Sequence, residues 1–322
     1  MNNNLKIYFE TAKKLKLPVK YLDSQQCLKI SLGKKNYYFI GTITPFNSST
    51  SIFITKNKQK TLQLFRKSGF PVLNHIAISK DSNWRELLPQ HVASLQFPVV
   101  LKPTFNSSNR IGIIGSIKTS EHLFDHLESN FKHYSHLQIE EFYQGLKEYR
   151  VLILKNRTLA VVERIAAHIV GDGIQTIQEL ADRKVNAECL ICLADQGLKL
   201  ENVVPAGKMV RLYYSANRSL GGISVSLGKK INSENANYLL RAAKITGLDL
   251  VGIDLLCEDI NLPFSQTKWL IIEANFSPGI LIHEYPDKGK SLNVSKKILR
   301  QLIVHHPFAY IYQRIKRMFR DG

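Results

Sequence analysis

Cysteine is scarce in this chain, with only Cys27, Cys189, Cys192 and Cys257 in 322 residues. That is too few to staple so long a chain with a disulfide framework. No apolar run approaches the roughly 18 residues that a membrane-spanning helix needs. The opening stretch MNNNLKIYFETAKKLK lacks the apolar core of a signal peptide. Together these absences set the expectation of a cytoplasmic protein. Acid is short as well: 26 Asp plus Glu stand against 44 Lys plus Arg, a net charge of +18. Such an excess favours an anionic partner, whether nucleotide, acidic peptide, nucleic acid or membrane surface, and does not choose among them. A generally basic surface explains it equally well. No nucleic-acid motif or aromatic–basic repeat accompanies the charge, so nucleic acid is not expected as the partner.

What is present reads as a globular chain, with 44% apolar and 22% charged residues. The length suits two or three domains, and no internal repeat is visible. LKIYFETAKKLKL has helical spacing, and YYFIGTI and SIFIT look like strands. NKQKTLQLFRKSGF predicts a helix stopped at Gly69 before Pro71. FPVVLKP predicts a short strand, and SEHLFDHLESNF a helix with Ser120 as its cap. YRVLILKNRTLAVVERI predicts two strands around a Lys155-Asn156-Arg157 turn. Thr176 and Glu179 stand at capping-box spacing, and SENANYLLRAAKITGL predicts a helix between a Ser233 cap and a Gly247 stop. Strands over DLVGIDLLCE and KWLIIEAN complete an α+β reading with antiparallel sheet in the second half.

Chemistry concentrates where apolar strands end in polar residues. In IIEANFSPG, Glu273 and Asn275 stand two apart and share one face of a strand, with Ala274 turned the other way. Asp254 ends a similar run in LVGID. If those strands pair, three oxygen-bearing side chains converge, a set that suits Mg²⁺; strand-end capping of loops is the alternative that spacing leaves open. Lys102 leaves the strand PVVL before the loop TFNSSNRIG, where an ammonium and backbone N–H groups favour an anion. IEEFYQG offers a linker whose backbone could meet an adenine edge.

Taken in order, NK before a helix, FPVVLKP, IEEFYQG, EYR, AAHIVGDGIQTIQEL, ANRSLGG, GIDLL and IIEANFSPG resemble the ATP-grasp superfamily, specifically the ATP-grasp domain of cyanophycin synthetases and bifunctional glutathione synthetases. The resemblance runs from about residue 10 to 304. It implies an ATP-grasp fold in which two α+β lobes clamp ATP, preceded by a short N-terminal α/β segment. It also implies transfer of phosphate from ATP to a carboxylate, with an amine then forming an amide. The boundaries expected are a pre-grasp segment over 1–55, a small lobe over 56–142, a C-terminal lobe with the metal site over 143–304 and a basic amphipathic tail over 305–322. The further N-terminal and Mur-ligase-like domains of cyanophycin synthetase are expected to be absent.

By motif, the resemblance implies that Lys58 and Lys102 bind phosphate, that Glu140, Glu141 and Phe142 form the adenine hinge, and that Glu148 holds the ribose. Asp254, Glu273 and Asn275 would be the Mg²⁺ ligands. Arg150, Arg164, Lys208, Arg211 and Asn217 would face phosphates or substrate in catalysis. Arg218, Ser219, Gly221, Gly222, Ser277, Gly279 and His283 would line the substrate, an amino acid or peptide expected to be acidic because Arg218 adds a cation where the family has Leu. A homodimer is expected. An ATP-grasp kinase and a catalytically silent nucleotide-binding module are the alternatives.

Cys189 and Cys192 form a CxxC without a second pair, and AECLICLAD reads as helical core rather than a zinc site. Phe308, Ile311, Tyr312, Ile315 and Phe319 share a helical face, with Arg314, Lys316, Arg317 and Arg320 over much of the remainder. Such a helix can lie on an anionic membrane or meet an acidic partner. Docking on its own domain is the expectation here.

Overall fold

The computed structural model describes residues 1–103, 114–182, 185–229 and 231–318. The loop TFNSSNRIG, with Phe319 and Arg320, lies outside the described residues. Helix α1 (Asn3–Lys14) opens under Asn2, whose side chain accepts from the Leu5 N–H. Strands β1 (Val19–Leu22), β2 (Cys27–Leu32) and β3 (Lys35–Ile40) follow. SIFIT, expected as a strand, lies in helix α2 (Ser49–Lys56): Ser48 accepts from the Ser51 N–H, and cap chemistry overrides β-branched content. Helix α3 (Lys58–Lys67) starts at once under Asn57.

Next come β4 (His75–Ser79), α4 (Trp84–Val92), β5 (Val99–Pro103), β6 (Ile114–Ile117), α5 (Ser120–Asn130) and β7 (His136–Glu141). Thr119, not Ser120, caps α5. Strands β8 (Lys147–Leu154) and β9 (Arg157–Ile165) flank the expected turn, with Lys155 at φ +52°. Then follow β10 (His168–Val170), α6 (Ile177–Ala181), α7 (Ala187–Asp195), β11 (Met209–Arg211) and β12 (Ile223–Gly228). The Thr176–Glu179 capping box forms at the start of α6. Helix α8 (Ser233–Thr246) is capped by Asn232 rather than Ser233 and stops at left-handed Gly247. The chain continues with β13 (Leu250–Cys257), β14 (Trp269–Asn275), α9 (Leu281–Glu284), α10 (Val294–His305) and α11 (Pro307–Met318).

Two compact units result. One combines Met1–Val72, Lys147–Arg164 and Ser224–Gly322. It holds a five-stranded sheet in the order β12-β9-β8-β13-β14 and a three-stranded sheet β1-β2-β3. Leu5, Tyr8, Phe39, Leu152, Leu250 and Ile298 pack in one core that ties α1 and α10 to both sheets. Burying each such side chain contributes about 1.5–3 kcal/mol. Strand β13 is central and nearly all buried, which explains its almost unbroken apolar run.

The other unit combines Leu73–Leu146 and Ile165–Ile223. Its four-stranded sheet, β4-β7-β5-β6, is covered by α4 and α5, with Trp84 packed between Phe124 and Phe131. A second cluster joins the β10-β11 pair to α6 and α7. Cys189 lies in it and Cys192 is buried on the same helix, their thiols pushed up by burial to about 11 and about 12. Among the described residues no helix is long and apolar enough to cross a membrane.

Candidate active site

Strands β13 and β14 pair antiparallel, with Asp254 directly opposite Glu273 and Gly252 opposite Asn275. The register slips after Asp254, where Leu255 pairs with Ile271. Such a bulge re-aims the side chains at a strand end. On the other side β8 places Arg150 opposite Asp254. Arg150, Asp254 and Glu273 thus form one row across three strands. Glu148 lies two residues from Arg150 on β8, on the same face, and is opposite Arg164 of β9.

These groups are paired with one another. Arg150 donates from Nε to Asp254 Oδ1 and from Nη2 to Asp254 Oδ2, the latter at 2.5 Å. Asn275 Nδ2 donates to Asp254 Oδ2 at 3.1 Å. Arg164 Nη1 donates to Glu148 and stands 3.8 Å from Asp254 Oδ2. Asp254 is only 2% exposed. Burial alone would lower the Arg150 guanidinium, yet Asp254, then Glu273 and Glu148, hold it above its ordinary value. Gly252 makes room for this arrangement, since a Cβ there would stand 3.0 Å from both Arg150 Cδ and Pro278 Cβ.

Glu273 and Asn275 also line a small cleft of about 70 Å³ together with Lys58, Thr55 and Phe276. Lys58 is the first residue of α3, so the strand end and a helix N-terminus share one depression. The loop after β14 is held by the N-terminal segment. Asn47 Nδ2 donates to the carbonyls of Leu250 and Phe276, both at 2.7 Å, and its Oδ1 accepts from the Leu250 N–H. Ser277 and Thr42 share a hydroxyl hydrogen bond, and Asn4 accepts from the N–H of Ile280, the residue after Gly279. Asn4, Thr42, Asn47 and Gly252 escaped the sequence reading. Only the glycine in LVGID carried a visible signal.

In the other unit, Lys102 forms an ion pair with Glu140, which is buried and accepts from Gln138 Nε2. Glu141 accepts from Asn74 Nδ2, from the Gln96 N–H and from Tyr143, so its carboxylate anchors the end of β7. The amides of Glu141 and Phe142 donate to the carbonyls of Asn74 and Pro98, and the Phe142 ring meets Tyr214 edge-on at 5.4 Å. Both hinge donors are therefore engaged within the chain. Arg211 ends β11, and its carbonyl accepts from Gln196 Nε2; Lys208 is exposed just before that strand. Asn217 caps a single turn that displays Arg218 and Ser219 to solvent. Gly221 closes the turn at φ +91°, and a Cβ on Gly222 would press on the Ala216 backbone at 2.7 Å.

His283 departs from expectation. It is fully buried, not displayed to a substrate, and neither ring nitrogen has a hydrogen-bond partner. Burial, then the charges of Arg150 and Lys297, lower it to about 3 against the opposing effect of Asp254. It is a neutral core imidazole behind the charged row.

The oxygen donors of Asp254, Glu273 and Asn275 fit a hard divalent cation. Among the described residues no cluster of three or more His, Cys, Asp and Glu ligands forms. The candidate set is two carboxylates and an amide, with Asp254 engaged by Arg150.

The fold and the sequence relationships are similar to those of ATP-grasp ligases. Residues 64–196 match the family described as D-ala D-ala ligase C-terminus. Cyanophycin synthetase of Synechocystis sp. is 29% identical over 308 residues, covering 89% of this chain and 35% of that protein. The glutathione biosynthesis bifunctional protein GshAB of Streptococcus mutans is 30% identical over 267 residues, covering 76% of this chain and 35% of that protein. A crystal structure of a bifunctional glutathione synthetase from Pasteurella multocida aligns with TM-score 0.64 and 24% identity over 95% of this chain and 44% of that one. The chain therefore spans about a third of the length of the curated relatives it matches.

Proposed function

We propose that this chain is an ATP-dependent carboxylate–amine ligase, releasing ADP and phosphate, with an amino acid or peptide as substrate. The observation that carries the reading is the row Arg150–Asp254–Glu273, with Asn275 beside it and Lys58 sharing its cleft. Phosphoryl transfer needs positioning and charge neutralisation more than covalent help from the protein. Asp254, Glu273 and Asn275 would hold Mg²⁺, which supplies charge neutralisation at the terminal phosphates. Lys58, Arg150 and Arg164 stabilise the transferring phosphoryl group as its bond to ADP breaks and its bond to the substrate carboxylate forms. The amine then attacks the acyl carbon, phosphate leaves, and the amide remains. Lys102, which forms an ion pair with Glu140, is a further candidate for binding phosphate on this reading. Arg218 favours an acidic carboxyl donor.

The test incubates the purified chain with Mg·ATP and pooled amino acids and dipeptides, following ADP, AMP and phosphate alongside mass spectrometry for new amides. ADP, phosphate and a new amide, all absent with Glu273→Gln, are the expected result. AMP in place of ADP overturns the acyl-phosphate mechanism, and a phosphorylated product without an amide identifies a kinase instead.

A further inference from the structure

Helix α11 docks on its own unit, but not through its apolar stripe. Tyr310 donates its hydroxyl to the Leu15 carbonyl at 2.9 Å, Gln313 Nε2 reaches the Ser31 carbonyl at 3.5 Å, and a Cβ on Gly33 would meet Ala309 at 3.2 Å. That contact fixes the helix with its other side outward. Phe308, Ile311, Tyr312 and Ile315 follow the spacing of one helical face, and they are 85%, 53%, 65% and 48% exposed. Val304, one turn earlier on α10, is 67% exposed. Isolated exposed apolar residues are ordinary, whereas a contiguous stripe with two aromatics marks an interaction surface.

Its surroundings are cationic. Arg314 is exposed beside the stripe, and Lys316 and Arg317 follow in sequence. Lys155 Nζ lies 3.0 Å from His305 Nε2 at the end of α10. His305 is held below its ordinary pKa first by burial, then by Lys155, His306 and Lys35, with Asp249 opposing. Closing this face against a second copy of itself would bring these cations together, which costs free energy. A helix that is apolar on one side, with Arg314 exposed beside the stripe, and fixed parallel to the surface matches an anionic bilayer, where the rings enter the acyl boundary and cations meet headgroups.

We propose that α11 is a membrane-surface anchor that seats the chain on anionic phospholipid. Phe308, Ile311, Tyr312 and Ile315 insert, while Arg314 contacts the headgroups. The anchoring needs no refolding, because the stripe already faces outward.

The test is co-sedimentation of the full chain with phosphatidylcholine vesicles made with and without phosphatidylglycerol. Binding is expected only with phosphatidylglycerol, weakening as salt rises. The double variant Phe308→Ser with Ile311→Ser should abolish it, and Arg314→Glu should weaken it roughly tenfold. All three substitutions fall on exposed side chains, so thermal melting of both variants should match wild type and show that the fold is intact. Equal binding to neutral vesicles, or anionic binding unchanged in the double variant, overturns the proposal, the latter by assigning adsorption to the general +18 charge. A dimer in light scattering that the double variant dissolves assigns the face to a second copy and also overturns it.

Discussion

Replacing Arg150 by Met should destabilise the chain by about 3 kcal/mol, because it strands a buried carboxylate. Asp254 is 2% exposed and accepts from both Nε and Nη2 of Arg150. Breaking a buried pair from one side typically costs about 3–5 kcal/mol. The low end applies here, since Asn275 still donates at 3.1 Å and Arg164 stands at 3.8 Å. Asp254→Asn should cost about 2 kcal/mol, because Glu273 and Glu148 still act on Arg150. Combining Arg150→Met with Asp254→Asn removes both charges and should cost about 2–3 kcal/mol less than the sum of the singles. Urea unfolding of the four proteins in metal-free buffer measures the coupling. A coupling below about 0.5 kcal/mol would show that water reaches and screens the pair, and the argument from burial fails.

Gly252→Ala should cost about 1–2 kcal/mol by pressing on Arg150 and Pro278. The cost should shrink in an Arg150→Met background, and an equal cost there assigns the strain to Pro278 alone. Asn47→Ala should lose about 2–3 kcal/mol by unpairing Leu250 and Phe276, with faster amide exchange at Leu250 as the local signature. His283 stays neutral when folded down to about pH 3, while the unfolded chain takes up its proton near 6.5. The unfolded state therefore binds more protons between those values, so stability falls as pH drops through that window. At about pH 4.5 the loss attributable to this ring is about 3 kcal/mol. His283→Leu should flatten that part of the profile in metal-free urea titrations, and parallel profiles would refute the assignment.

The strands of the charged row were legible because their side chains obey two rules at once. LVGIDLLC is nearly all apolar, as a central strand must be, and KWLIIEAN turns polar only where it reaches its end. Glu273 and Asn275 share a face by alternation, and Asp254 joined them once pairing supplied the register. Arg150 was named from a motif, but its bond to Asp254 depends on β8 lying beside β13, a contact 104 residues apart in sequence. The units themselves are assembled from separate stretches, so Lys147–Arg164 returns to the unit that Val72 leaves. SIFIT misled because its apolar residues carry strand propensity without burial: Phe53 is 76% and Ile54 41% exposed, and a serine cap decides the helix. Asn47 was illegible for a related reason. Nothing in TPFNSS marks the asparagine, and only the folded chain brings it against both Leu250 and Phe276.

The net charge says little about this site, because its charges largely cancel. Arg150 and Arg164 oppose Asp254, Glu273 and Glu148, two cations against three acids, for a formal sum of −1. On the proposed reading, Asp254 and Glu273 would hold a divalent cation, and Arg150, sharing Asp254 with it, would be freer to meet phosphate oxygens, while Arg164 keeps Glu148 as its partner. The row then changes from slightly acidic to cationic as the polyanionic nucleotide arrives, and no charge is left buried without a counterpart at either stage. A set of free arginines would attract nucleotide more strongly but would leave like charges packed beside one another in the ligand-free chain. Pairing each arginine with an acid avoids that penalty, and on the proposed reading it would make nucleotide affinity depend on a metal that shares Asp254 with Arg150.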